Sequence, residues 1–214
     1  MAKLRLHITM SLDGYVAGPE QGEENPLGVG GEQLHEWVFP LKEFREMHGA
    51  EGGETNASSA VVNERWANIG ATIMGRNMFG PIRGEWPDDS WRGWWGEDPP
   101  YHHAVFVLTH HSREPLQMQG GTSFEFVTDG IQSALARAKD AAQGKDVWLA
   151  GGASVCNQYL AAGLVDEVDV SIPPLILGAG ERLFEGIEPG SLKLRQIRAV
   201  DAPGVTHIKY QLGG

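Results

Sequence analysis

The sequence predicts an α/β fold, layered around one mixed and mainly parallel sheet, within a single domain spanning residues 1–214. Three observations lead there. Apolar strand-like runs alternate with helical patterns through the middle of the chain. Two late runs, "LKLRQIRAV" and "HIKYQL", follow one another with no helix between them, as an antiparallel pair does. Glycines gather where strands hand over to helices, most clearly in "VWLAGGAS".

Leu4, Leu6, Ile8 and Met10 alternate with Arg5, His7 and Thr9, which is strand periodicity. Residues 11–31 form a long glycine-rich loop, of a length that tends to be functional or disordered. From Glu32 to Met47 apolar residues recur at helical spacing, though Pro40 interrupts the pattern, and a second helix is expected over Ser58–Asn68. The run "ATIMG" reads as a buried strand that turns away at "RNMFGP". Residues 84–103 hold four of the seven tryptophans among prolines and glycines and suit no regular element; they fit a pocket wall and an interface. "AVFVLTHH" and "FEFV" are further strands, followed by a helix from about Gly130 to Gln143 with Thr128 or Asp129 as its cap. "VWLA" is a strand, Ser154–Ala162 a short helix, and Gly163 its left-handed stop with Leu164 packing back. "EVDVSI" alternates strictly, as a half-exposed strand would.

Composition narrows the function. A net charge of −11 disfavours nucleic acid and anionic membranes as partners, and no apolar run approaches the roughly 18 residues of a spanning helix. The start, "MAKLRLHITM", reads as a strand and not a signal peptide, and Cys156 is the only cysteine, so a cytoplasmic protein is expected. Cys156 one turn into its helix reads best as inert and buried.

Helix N-termini present unpaired N–H groups and positive partial charge, and ligands of open α/β sheets collect beyond the carboxyl ends of strands. Gly151, Gly152, Ala153, Ser154 and Val155 therefore make a candidate phosphate seat, against the plainer reading of a tight strand-to-helix turn. Gly75, Arg76 and Asn77 stand past a second strand end, and Thr109 with His110 past a third. The pairs His102-His103 and His110-His111 raise a metal hydrolase, which the spacing supports poorly; no metal site is expected.

The motifs "ITMSLDGYVAGP", "ATIMGRNMFGP" and "GGASVCNQYLAAGLVDEVDVSIPPLILGAGERLF" resemble the dihydrofolate-reductase-like superfamily, in the branch of the riboflavin-biosynthesis reductase C-terminal domain. The resemblance runs from about Leu4 to Leu212. It implies a three-layer sandwich, NADPH as hydride donor, a small pterin- or pyrimidine-like substrate, and a homodimer. Position by position it implies that Gly75, Arg76 and Asn77 approach the cofactor phosphates. Gly151 through Val155 match its pyrophosphate loop, and Thr109 and His110 the surroundings of the 2′-phosphate. His110 stands where the family often has arginine, which weakens the expectation of NADPH over NADH. Asp13 is the candidate catalytic residue and Gly14 its cofactor-side neighbour, with an Asx turn as the plainer alternative. Glu36, Glu43 and Glu64 compete for the acidic position of true dihydrofolate reductases, and none stands out. The competing function is a nucleotide-binding module without turnover.

Overall fold

The computed structural model describes residues 2–213. Nine strands form the main sheet: β1 (Leu4–Thr9), β3 (Ile69–Gly75), β4 (Ala104–Leu108), β5 (Leu116–Gln117), β6 (Ser123–Val127), β7 (Asp146–Gly151), β8 (Glu167–Ile172), β10 (Leu194–Ala202) and β11 (Val205–Leu212). Their order is β10-β11-β8-β1-β7-β3-β4-β6-β5. The six strands from β8 to β6 run parallel, and antiparallel pairs close both edges. A small second sheet pairs β2 (Tyr15–Ala17) with β9 (Glu181–Arg182). The mixed, mainly parallel sheet is the one the sequence predicts; β5, only two residues long, left no periodicity to find.

Alternation along the strands sorts the two faces. Leu4, Leu6, Ile73, Leu149 and Val170 turn toward α4 (Ile131–Ala141) and α5 (Ala153–Ala161), making the larger core. The opposite face lies under α1 (Lys42–Met47), α2 (Ala57–Trp66) and the tryptophan-rich segment after α3 (Arg76–Phe79). Helices thus flank the sheet on both sides, a three-layer sandwich. Gly163, at φ 66°, ends α5, and Leu164 N–H returns to the Tyr159 carbonyl, as expected of that stop.

The helical pattern over Glu32–Met47, interrupted at Pro40 as its missing N–H requires, is regular only as a 3-10 turn at Gly31–His35 and as α1. Two expectations need correction. Neither Thr128 nor Asp129 caps α4; its N-cap is Gly130, and the Asp129 carboxylate accepts from Ser133 and Arg137 at 2.8 Å each. The second concerns "EVDVSI", which is buried on both faces: Glu167, Asp169 and Ser171 are 7%, 5% and 0% exposed. Its alternation reports two chemically different faces, and α2 covers the polar one.

Under α2 those polar groups find partners. Arg65 donates to Asp169 at 2.5 Å and to Ser171 Oγ at 2.9 Å. Glu167 is held by Lys3 and Lys209, and Glu64 by Arg198 and Lys209. His207, 1% exposed, bridges Ser58 Oγ at 2.9 Å and Ser171 Oγ at 2.7 Å. Burial, then the charges of Arg65 and Arg198, lowers its pKa to about 3. The unfolded chain, with a histidine pKa near ~6.5, therefore takes up the proton first as the pH falls. Stability is complete above that value and declines toward the folded pKa, by up to about 1.4 kcal/mol per pH unit for such a group. The melting temperature should accordingly drop between pH ~6.5 and ~5, above the range of ordinary carboxylates; a flat profile there contradicts a neutral buried His207.

Candidate functional site

A cleft of about 730 Å³ opens at the carboxyl ends of the central strands and continues over the sheet face beneath α1 and α2. Gly75, Arg76 and Asn77 at the end of β3, Thr109 and His110 just past β4, and Gly151 through Val155 from the end of β7 all line it. Ten of the twelve residues singled out in the sequence thus meet in one cavity. Parallel strands bring their carboxyl ends to one edge of the sheet, so distant turns become neighbours.

The seat at β7 is built by close approach. A Cβ on Gly75 would stand 2.7 Å from Val155 Cγ2, so only glycine lets the first turn of α5 lie against β3. Gly151 holds φ 137°, and the Gly151–Gly152 peptide is cis. A Cβ on Gly152 would meet nothing within 4 Å, so the space before α5 is open. No side chain caps α5; its first turn offers bare N–H groups to the cleft, with the exposed Ser154 among them. The sequence missed that Gly130 and Ile131, at the equally uncapped start of α4, line the same cavity. The signal was available: "FEFV" is a fourth strand followed by a glycine and a helix.

Arg76 is 9% exposed and lies 3.7 Å above the Trp86 ring. One guanidinium nitrogen donates to the Gly84 carbonyl, while Nε and Nη2 are buried without partners among the described residues. Burial and the neighbouring charges of Arg83 and Arg113 lower its pKa. Unmet donors amid crowded positive charge favour an anion. Thr109 takes the His111 N–H on Oγ1 at 3.2 Å, and His110 is exposed at the rim.

Asp13 and Gly14 do not line the cleft. The Asp13 carboxylate accepts from Ser11 Oγ at 2.6 Å and from the main-chain N–H groups of Gly178 and Leu177 at 2.7 and 3.1 Å. The Ser11 hydroxyl first, then those amides, holds its pKa at about 2, so near neutrality it has no proton to give. Asp13 thus makes the turn of the plainer alternative and clamps two loops together. Gly14, at φ 93°, serves the same turn.

The aromatic wall over the sheet face was not foreseen. Trp66 and Trp148 meet edge to face at 4.7 Å, Trp148 stacks on the buried His7 at 4.5 Å, and Tyr101 lies 6.1 Å from Trp148. Trp94 and Trp95 of the tryptophan-rich segment line the cleft as expected of a pocket wall. Glu43 instead accepts from Ser59 and Asn63, Glu64 is taken by Arg198 and Lys209, and Glu36 is exposed away from the cleft. The histidine pairs diverge: His103 Nε2 meets Thr72 Oγ1 at 2.8 Å, and His102 Nδ1 the Gly120 carbonyl at 2.9 Å. Among the described residues no three His, Cys, Asp or Glu side chains gather as metal ligands. Cys156 is fully buried and its thiol is pushed up to about 12 by burial, an inert group.

The family profile of the RibD C-terminal domain matches residues 2–206. The uncharacterized protein YyaP of Bacillus subtilis is 32% identical over 123 residues, which cover 55% of this chain and 64% of YyaP. The matched stretch is thus less than two thirds of that relative. A putative riboflavin biosynthesis protein from Shewanella sp. PV-4 shares the fold with TM-score 0.64, at 20% identity over 99% of both chains. Dihydrofolate reductase from Enterococcus faecalis, solved with NADP(H), superposes with TM-score 0.54 at 14% identity, over 99% of this chain and 97% of that one. Among the described residues no helix is long and apolar enough to cross a membrane.

Proposed function

The chain belongs to the RibD C-terminal domain family and has a dihydrofolate-reductase-like fold, and from that premise we propose that it is an NADPH-dependent reductase acting on a small pterin- or pyrimidine-like ring. One observation carries the reading: residues from three strand ends converge on a single cleft at an uncapped helix start. The residues fit a dinucleotide. Bare amides from Gly152 to Val155 suit the pyrophosphate, with open space where a Cβ at 152 would stand. Arg76 and Arg83, helped by Thr109 and His110, suit a 2′-phosphate and so favour NADPH over NADH.

NADPH, when bound, supplies the hydride, which goes to an electron-poor C=N or C=O carbon while a proton goes to the adjoining nitrogen or oxygen. The protein's residues hold the two reactants in register and exclude bulk water. Asp13 takes no part in proton delivery in this scheme; water entering the cleft supplies the proton. Residues 1–214 acting as one unit, a homodimer and a cytoplasmic location belong to the same reading, supported by the family resemblance and by the lone, buried thiol of Cys156.

A nucleotide-binding module without turnover is the second reading, favoured by the lack, among the described residues, of an acidic side chain in the aromatic walls. Loss of absorbance at 340 nm separates the two. The reductase reading expects NADPH to be oxidised when dihydropteridine or aminopyrimidine compounds are supplied. Binding of NADPH with no oxidation across such a panel favours the module.

A further inference from the structure

The charged side chains lining the cleft are Arg76, Arg83 and Glu181. Both arginines belong to the segment after β3, and Glu181 shares a groove with Ala153 and Ser154 beside α5. All three therefore serve the end where the phosphate seat lies. The other end, over the sheet face, is walled by Phe39, Phe44, Met47, Trp66 and Trp148, and among the described residues it carries no Lys, Arg, Asp or Glu. Phe39 is 41% exposed there, an apolar surface that a ligand would cover.

Beyond the His7 ring nitrogens, buried without partners behind Trp148 among the described residues, the cavity lining includes a tyrosine. Tyr101 is 6% exposed and lines the cavity, yet its hydroxyl makes no hydrogen bond among the described residues. Tyr159, also buried, donates to the Ile131 carbonyl at 2.7 Å, so the fold does satisfy a tyrosine where no ligand is involved. Burial pushes the Tyr101 pKa well up, which keeps it a donor. His35, half-buried in the same wall, is held near a pKa of about 4 by burial, so it brings no cation near neutrality. His48 stands at the exposed rim with Nδ1 against the Phe44 carbonyl at 2.8 Å.

We infer that this lobe selects an uncharged, flat ring bearing an apolar substituent, with Tyr101 donating to a ring carbonyl or nitrogen, and that it rejects rings carrying a carboxylate or phosphate tail. The inference rests on the reductase reading for its hydride donor, but it concerns the substrate's shape and charge. An anionic tail in the lobe loses its water and meets no cation. An apolar tail covers the two phenylalanines and Met47.

Two probes with one ring separate these cases: 6-phenyllumazine and lumazine-6-carboxylate, titrated calorimetrically at neutral pH without cofactor. The phenyl probe is expected to bind at least about tenfold more tightly, the scale on which an unpaired buried charge is penalised. Tyr101→Phe should weaken the phenyl probe by about five- to tenfold while leaving the melting temperature close to the parent's. Met47→Lys should strengthen the carboxylate probe and narrow or reverse the preference. Equal or tighter binding of the carboxylate by the parent, or no binding of the phenyl probe, overturns the inference; an unchanged Tyr101→Phe removes the hydroxyl from it. NADPH titrated into the same parent protein distinguishes the failures. Retained NADPH affinity with the wrong probe preference sinks the substrate inference alone, whereas no NADPH binding sinks the reductase reading.

Discussion

Ser154→Asp is expected to lower NADPH affinity by about a hundredfold and to leave the fold intact. Ser154 is exposed in the first turn of α5 and lines the cleft at the proposed pyrophosphate seat. A carboxylate near a helix N-terminus is favourable by about 0.3–1 kcal/mol, so α5 itself should not suffer. Against a bound diphosphate the same charge repels. Two unit charges ~4 Å apart at an effective dielectric near ~20 interact by about 4 kcal/mol, and salt leaves roughly 2–3 kcal/mol of that. Calorimetric titration measures the loss, and a thermal melt run beside it checks the fold. An affinity equal to the parent's would move the pyrophosphate away from α5.

Arg65→Leu is expected to cost about 3 kcal/mol or more, the penalty for stranding a buried charge. It removes the 2.5 Å contact to Asp169 and the bond to Ser171, leaving Asp169, 7% exposed at its side chain, with Arg198 at 3.4 Å as its remaining cation among the described residues. At about 2–4 °C per kcal/mol for a chain of this size, the melting temperature should fall by roughly 10 °C. Replacing Arg65 and Asp169 together by leucine should recover most of the loss, since a buried pair is often no better than well-packed apolar side chains. If the single variant melts with the parent, the polar layer under α2 is not holding the sheet. If the double variant falls further than the single one, the pair is worth more than its desolvation.

Local patterns carried the strands well because alternation and short apolar runs are local properties, and β1, β3, β4, β6 and β7 could be read from them. The turns at Gly75, Thr109 and Gly151 were legible for the same reason: each follows directly on such a run. What the sequence concealed depends on contacts distant in the chain. "EVDVSI" looks half-exposed until Arg65, 104 residues away from Asp169, is seen covering it. The partners of Asp13, the amides of Leu177 and Gly178, come from 164 and 165 residues away, beyond any local pattern. The aromatic lobe draws Phe44, Trp66, Tyr101 and Trp148 from four separate segments, so no spacing could announce it.

The central claim is that the first turn of α5 receives the diphosphate of a nicotinamide dinucleotide. A crystal structure of the protein grown with saturating NADPH tests it most directly. The account predicts diphosphate oxygens within about 3.2 Å of main-chain N–H groups between Gly152 and Val155, with the 2′-phosphate near Arg76. A dinucleotide bound elsewhere, or a first turn of α5 with no phosphate against it, would contradict the account.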